Sequence, residues 1–113
     1  MLLRRGSIVL VNFSPARDGE ANYVRPAVIV SNNNFNTFSK VLIVTPLTSN
    51  VDKVYPFQVF LPLHRTNLDR DSKIQTELIR HVNVSRIIKE LGYVPEDLMV
   101  KLDQCLREHL GLG

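Results

Sequence analysis

The chain has 113 residues, 44% of them hydrophobic and 22% charged, the balance of an ordinary single globular domain spanning 1–113. No apolar run reaches the roughly 18 residues needed to span a membrane, residues 1–30 carry no signal-peptide pattern, and Cys105 is the only cysteine, which rules out an internal disulfide and leads us to expect a cytoplasmic protein. The net charge of +3 is unevenly spread: residues 1–94 hold 12 Lys/Arg against 7 Asp/Glu, residues 95–113 hold 2 against 4, and a basic body of this kind suits a polyanionic partner.

Ser7 to Phe13 is rich in β-branched and apolar residues and predicts a first strand, closed by Pro15. A polar loop, Pro15 to Pro26, follows and carries Asp18, Glu20, Tyr23 and Arg25. Ala27 to Val30 predicts the second strand. Asn34 is placed to cap a short helical turn through Phe38. Val41 to Val44 predicts a third strand ended by Pro46, Pro56 to Leu61 a fourth, and Lys73 to Ile79 a fifth. Asn67 to Asp71 reads as a turn. Ser85 to Leu91 is a short helix candidate ahead of Gly92. Pro95 suits a helix start, with Glu96 and Asp97 favouring the positive end of the dipole. Leu98, Leu102, Cys105, Leu106 and Leu110 then make an apolar stripe at helical spacing, and Gly111 ends it. Phe35, Phe38, Phe57 and Phe60 are assigned to the core. Strands without long intervening helices, followed by one terminal helix, argue for a small antiparallel barrel with a helix packed on it.

The order of short motifs resembles the MazF/PemK family of bacterial toxins. The matching stretches are Arg4-Arg5-Gly6-Ser7-Ile8, the Pro15 to Pro26 loop, Pro26 to Asn32, Asn36, Thr45-Pro46-Leu47-Thr48, Tyr55-Pro56-Phe57-Gln58-Val59 and Glu77-Leu78-Ile79-Arg80. The resemblance implies an SH3-like barrel of the CcdB/MazF kind and a homodimer. It implies metal-independent, sequence-specific cleavage of single-stranded RNA, mRNA above all, with no cofactor. It further implies an antitoxin partner whose acidic flexible segment occupies the RNA groove, and a toxin-antitoxin complex able to bind DNA. The family's catalytic positions fall on Arg25 and Thr48. The sequence departs from the family pattern at Asp18-Gly19, where Gly-Ser is common, and at Leu78, where Gln is usual; His81 and Asn83 also differ.

Histidines 64, 81 and 109 are scattered, and no zinc spacing or convergent carboxylate set is present, so no metal site is expected. RNA can supply its own nucleophile, the 2′-hydroxyl. Arg25 suits stabilisation of the phosphate, because its fork donates two hydrogen bonds and stays charged. Thr48 can donate to the phosphate or relay a proton, and Glu20 is the conventional candidate for base or for orienting Arg25. Asn36, Gln75, Glu77 and Arg80 are candidates to line an RNA groove. Tyr23 is placed to stack on a base, and Lys53 to contact phosphate, with Arg4, Arg5, Arg17, Lys40, Lys73 and Arg86 as further basic candidates. Two other functions fit such a barrel: a CcdB-like toxin that binds DNA gyrase without catalysis, and a degenerate SH3-like binding module.

Overall fold

The computed structural model describes residues 3–14 and 23–113. Among these, seven strands form one curled antiparallel sheet: β1 (Ser7–Asn12), β2 (Val24–Ile29), β3 (Val41–Thr48), β4 (Val59–Leu61), β5 (Ser72–Ile74), β6 (Arg80–Asn83) and β7 (Ile87–Tyr93). Two helices accompany them, α1 (Asn33–Phe38) and α2 (Glu96–Leu110). The path is β4-β5-β3-β2-β1-β7, with β6 also pairing with β3. The margins β6 and β7 are joined by a 3-10 turn, Val84–Arg86, so the sheet curls into a half-barrel.

Alternation along the strands divides the apolar residues between two cores. Val9, Val11, Ala27, Ile29, Leu42, Val44 and Val82 point inside the curl, with Phe13 at its end. Ile8, Val28, Leu47, Val59 and Ile74 point outward and are covered by Leu98, Leu102, Cys105 and Leu106 of α2. Each fully buried Leu or Ile contributes about 1.5–3 kcal/mol of transfer free energy.

α2 obeys the expected signals. Pro95 precedes it, Glu96 and Asp97 occupy its first turn, and Gly111 closes it in the left-handed region at φ 70°. The N–H of Leu112 returns to the carbonyl of Arg107 at 2.8 Å. Two ion pairs fasten the helix. Arg5 bonds Asp103 and also donates to the carbonyl of Val30, while the Arg65 fork takes both oxygens of Asp97 at 2.6 and 3.0 Å. Arg5 is thereby committed to the fold.

The structure corrects several expectations. Ser85 to Leu91 is mostly strand, because β7 pairs with β1 along its length, Leu10 facing Lys89 and Val11 facing Ile87. The expected fifth strand is interrupted: β5 ends at Ile74, Thr76–Leu78 forms a 3-10 turn, and β6 resumes at Arg80. The fourth is cut to three residues, since Tyr55 to Gln58 closes a turn through Gln58 N–H to Tyr55 O at 2.9 Å. β3 runs through Pro46 to Thr48. Asn32, not Asn34, caps α1, its side chain accepting from Phe35 N–H. Phe35, Phe38, Phe57 and Phe60 are exposed, Phe38 almost fully, and Leu110 is half-exposed. Gly92 is needed where it stands, because a Cβ there would lie 2.1 Å from the carbonyl oxygen of Thr66.

Two prolines shape the centre of the sheet. In β2 the even-numbered residues turn their peptide groups toward β3, as Val30 N–H shows by bonding the carbonyl of Ile43 at 2.9 Å. Pro26 is the second such residue toward the strand's start, after Val28, and it has no N–H to give. The β2–β3 ladder accordingly ends one step earlier, at Ala27 opposite Pro46. Pro46 loses nothing by this arrangement. Its carbonyl faces the other way and accepts from Gln75 N–H at 2.9 Å, on the side where β3 changes partner from β6 to β5.

Candidate functional site

Continuing the β2–β3 register beyond its last pair sets Arg25 opposite Thr48. The two residues thus lie one step beyond Pro26 and Leu47, past the end of the paired stretch. A cavity of about 530 Å³ opens there, lined by Arg25, Pro26, Leu47 and Thr48 and, from beyond the two strands, by Arg70 and Lys89. Asp69 also borders it, so the lining is basic by two charges. Cations therefore predominate around the cavity that Arg25 and Thr48 border.

Arg25 is held on both sides. Its backbone pairs with Val11 of β1. Its guanidinium donates through Nη1 to the phenol oxygen of Tyr23 and lies 5.1 Å from that ring's centroid. Tyr23 in turn contacts Phe13, with centroids 6.2 Å apart and planes tilted by 49°, and Arg80 lies 5.0 Å from the Phe13 ring. Arg25, Tyr23, Phe13 and Arg80 therefore form a continuous run of cations and rings at the open end of the half-barrel. Cations over aromatic faces keep their charge while losing rotational freedom.

Thr48 uses its side-chain oxygen as an acceptor, taking the N–H of Asn50 at 3.2 Å. Its hydroxyl proton is left to donate elsewhere. On its other side Thr48 pairs with Lys73 of β5. Lys73 is buried, and its ammonium bonds the carbonyl of Lys53. Among the described residues, no three His, Cys, Asp or Glu side chains gather where they could share a metal ion.

A family model described as the PemK-like, MazF-like toxin of type II toxin-antitoxin systems matches residues 4–110. The chain belongs to this PemK-like, MazF-like toxin family. A curated relative, Endoribonuclease MazF9 of Mycobacterium tuberculosis (strain ATCC 25618 / H37Rv), is 43% identical over 98% of each chain. Among solved structures, the MazE-MazF crystal structure (Form-II) from Deinococcus radiodurans superposes with a TM-score of 0.85 at 27% identity, covering 100% of this chain and 99% of that one. MazF (Form-I) from the same organism gives 0.80 at 28%, covering 98% of each. An endoribonuclease in complex with its cognate antitoxin, from Mycobacterial species, gives 0.81 at 22% identity, covering 97% of this chain and 96% of that one, a likeness of fold. The half-barrel with its terminal helix is thus the fold of MazF structures.

The remaining expected site residues of this MazF-like chain are distributed as follows. Tyr23 joins Arg25 directly, and Arg80 is linked to them through Phe13, whose ring the sequence marked only as the end of a strand. Lys53 lies over the ring of Tyr55, 4.8 Å from its centroid, in the turn that follows Thr48. Glu77 accepts from Gln58 Nε2 at 2.8 Å through Oε2, while its Oε1 and Gln75 Oε1 are buried without a hydrogen-bond partner. Asn36 is different: it is buried, its Nδ2 donates to the carbonyl of Ser31 and its Oδ1 accepts from the Ser31 hydroxyl. Its amide closes α1 onto β2 and is spent on the fold. Leu78 is exposed on the 3-10 turn beside Glu77. Glu20, with Arg17, Asp18 and Gly19, lies outside the described residues. Arg70 and Lys89 were not singled out by the sequence; only the charge excess of residues 1–94 hinted at such a lining.

No helix among the described residues is long and apolar enough to cross a membrane.

Proposed function

We propose that this chain is the toxin of a type II toxin-antitoxin pair and an endoribonuclease that cuts single-stranded RNA, cellular mRNA in the cytoplasm, without a metal ion. The observation that carries the reading is the placement of Arg25 opposite Thr48, one step past the end of the β2–β3 ladder, on the rim of a cavity with a basic lining. Family membership and the 43% identical Endoribonuclease MazF9 support it.

The chemistry asks little of the protein beyond placement. The 2′-oxygen bonds to the adjacent phosphorus and gives its proton to a base, and the bond from phosphorus to the 5′-oxygen breaks as that oxygen gains a proton. The products are a 2′,3′-cyclic phosphate and a 5′-hydroxyl. Arg25, braced on Tyr23, donates its fork to the phosphate oxygens as negative charge accumulates. Thr48, its acceptor already occupied by Asn50 N–H, donates its hydroxyl to the same phosphate. Glu20 is the proposed base, acting directly or through Arg25. Tyr23, Arg80, Lys53, Gln75 and Glu77 contact the flanking RNA. The active form is a homodimer, and the partner in the cell is an antitoxin with an acidic flexible segment that competes for the same cations.

Incubating a long RNA with antitoxin-free protein and excess chelator tests the reading. Fragments ending in a 2′,3′-cyclic phosphate are expected, and Arg25→Ala should abolish them. Intact RNA from folded protein would overturn the assignment, as would gyrase inhibition without RNA cleavage. Light scattering that gives a monomer would remove the dimer.

A further inference from the structure

The turn between β3 and β4 displays a pair of aromatic rings that the fold does not bury. Tyr55 and Phe57 stack with centroids 5.3 Å apart and planes only 11° from parallel, yet remain 41% and 37% exposed. The turn beneath them is braced. Gln58 N–H bonds Tyr55 O, Gln58 Oε1 accepts from Tyr55 N–H at 3.2 Å, and Gln58 Nε2 reaches Glu77. The rings are therefore presented by a fixed backbone.

Two ammonium groups attend the same ring. Lys53 Nζ lies 4.8 Å and Lys73 Nζ 5.8 Å from the Tyr55 centroid. Lys73 is only 8% exposed, and among the described residues its one hydrogen-bonded acceptor is the carbonyl of Lys53. An ammonium has three donors, and neither ion pair among the described residues involves Lys73 or Lys53. Among the described residues, then, a nearly buried cation without an anionic partner sits beside exposed stacked rings. Lys73 is also the residue directly opposite Thr48 on β5, one strand away from the proposed cleavage site.

We propose that Tyr55, Phe57, Lys53 and Lys73 form a nucleotide subsite that holds an unpaired base of the RNA, outside the three nucleotides around the cleaved bond, against the rings and its phosphate at the two ammonium groups. This rests on the ribonuclease reading above and extends it. Stacking on a ring accepts any base, so the subsite adds grip without adding sequence preference. An acidic peptide would use the lysines alone and gain nothing from flat, parallel rings.

The test compares a trinucleotide spanning a mapped cut with a nonamer centred on the same cut, each with the full-length protein. Phe57→Leu should raise KM for the nonamer at least about fivefold, leaving kcat and the trinucleotide KM unchanged. Lys53→Gln should lower the salt dependence of nonamer binding by about 0.7 in log-log slope. Near-UV circular dichroism checks that Phe57→Leu, chosen because it keeps the apolar bulk, is folded. Wild type that cuts neither RNA refutes the ribonuclease reading itself. Wild type that cuts both, with Phe57→Leu unchanged on the nonamer, refutes the subsite alone. An effect of Lys53→Gln without one of Phe57→Leu reduces the surface to plain charge and also refutes it.

Discussion

Tyr23 and Arg25, two residues apart, are joined twice over: Nη1 of Arg25 donates to the Tyr23 phenol oxygen, and the guanidinium carbon lies 5.1 Å from the centroid of its ring. This double hold makes the direction of the Arg25 fork a property of the folded chain. Arg25→Lys keeps the charge but loses the fork, and a lost transition-state donor of this type costs about 10²–10³ in kcat. Tyr23→Phe keeps the ring and removes only the acceptor, so a smaller fall is expected. Single-turnover cleavage of a labelled RNA measures both, and full activity in the Lys variant would show that the fork is not used.

Pro26→Ala gives β2 the N–H it lacks, aimed at Leu47. The ladder should extend toward Arg25 and Thr48, and cleavage should fall while the fold is kept. Amide exchange at residue 26 and the cleavage rate read the two effects independently. A protected amide with undiminished cleavage would separate the end of the ladder from the activity.

Gly92→Ala places a Cβ where the carbonyl oxygen of Thr66 stands 2.1 Å away. Backbone must move, and overpacking of this sort costs about 1–3 kcal/mol. A lower urea midpoint with an unchanged slope is expected.

Asp97 is held below the usual carboxylate range, first by its hydrogen bonds from Arg65 and then by that residue's charge. A carboxylate with a depressed folded pKa adds stability above its ordinary pKa of about 3.9, and loses it as pH falls through the depressed value. Asp97→Asn should therefore flatten the acid limb of the melting curve below about pH 4 and have less effect in high salt, since the pair is exposed. Melting temperatures from pH 2 to 6 at two salt concentrations decide it.

The parts of this fold that local chemistry dictates could be read directly. Pro95, Glu96, Asp97 and Gly111 bracket α2, and of its expected stripe Leu98, Leu102, Cys105 and Leu106 are buried while Leu110 is not. What failed was governed by distant pairing. Ile87, Ile88 and Leu91 have helical spacing, but pairing with β1 draws them into a strand. Phe57 and Phe60 look like core residues until the expected strand proves to be three residues long at the sheet's margin, with Phe57 left in the turn before it. The approach of Arg25 to Thr48 follows from a register that no local pattern encodes. The roles proposed for them rest on the motif order, while Phe13, Arg70 and Lys89 needed the structure to be found.

Strand β3 has a further consequence. Leu42 and Val44 belong to the core inside the curl, Leu47 to the core beneath α2, and the same backbone carries all three. Neither core can melt without dismantling a wall of the other. Calorimetric and van't Hoff enthalpies should therefore agree, and α2 should offer proteases no early foothold.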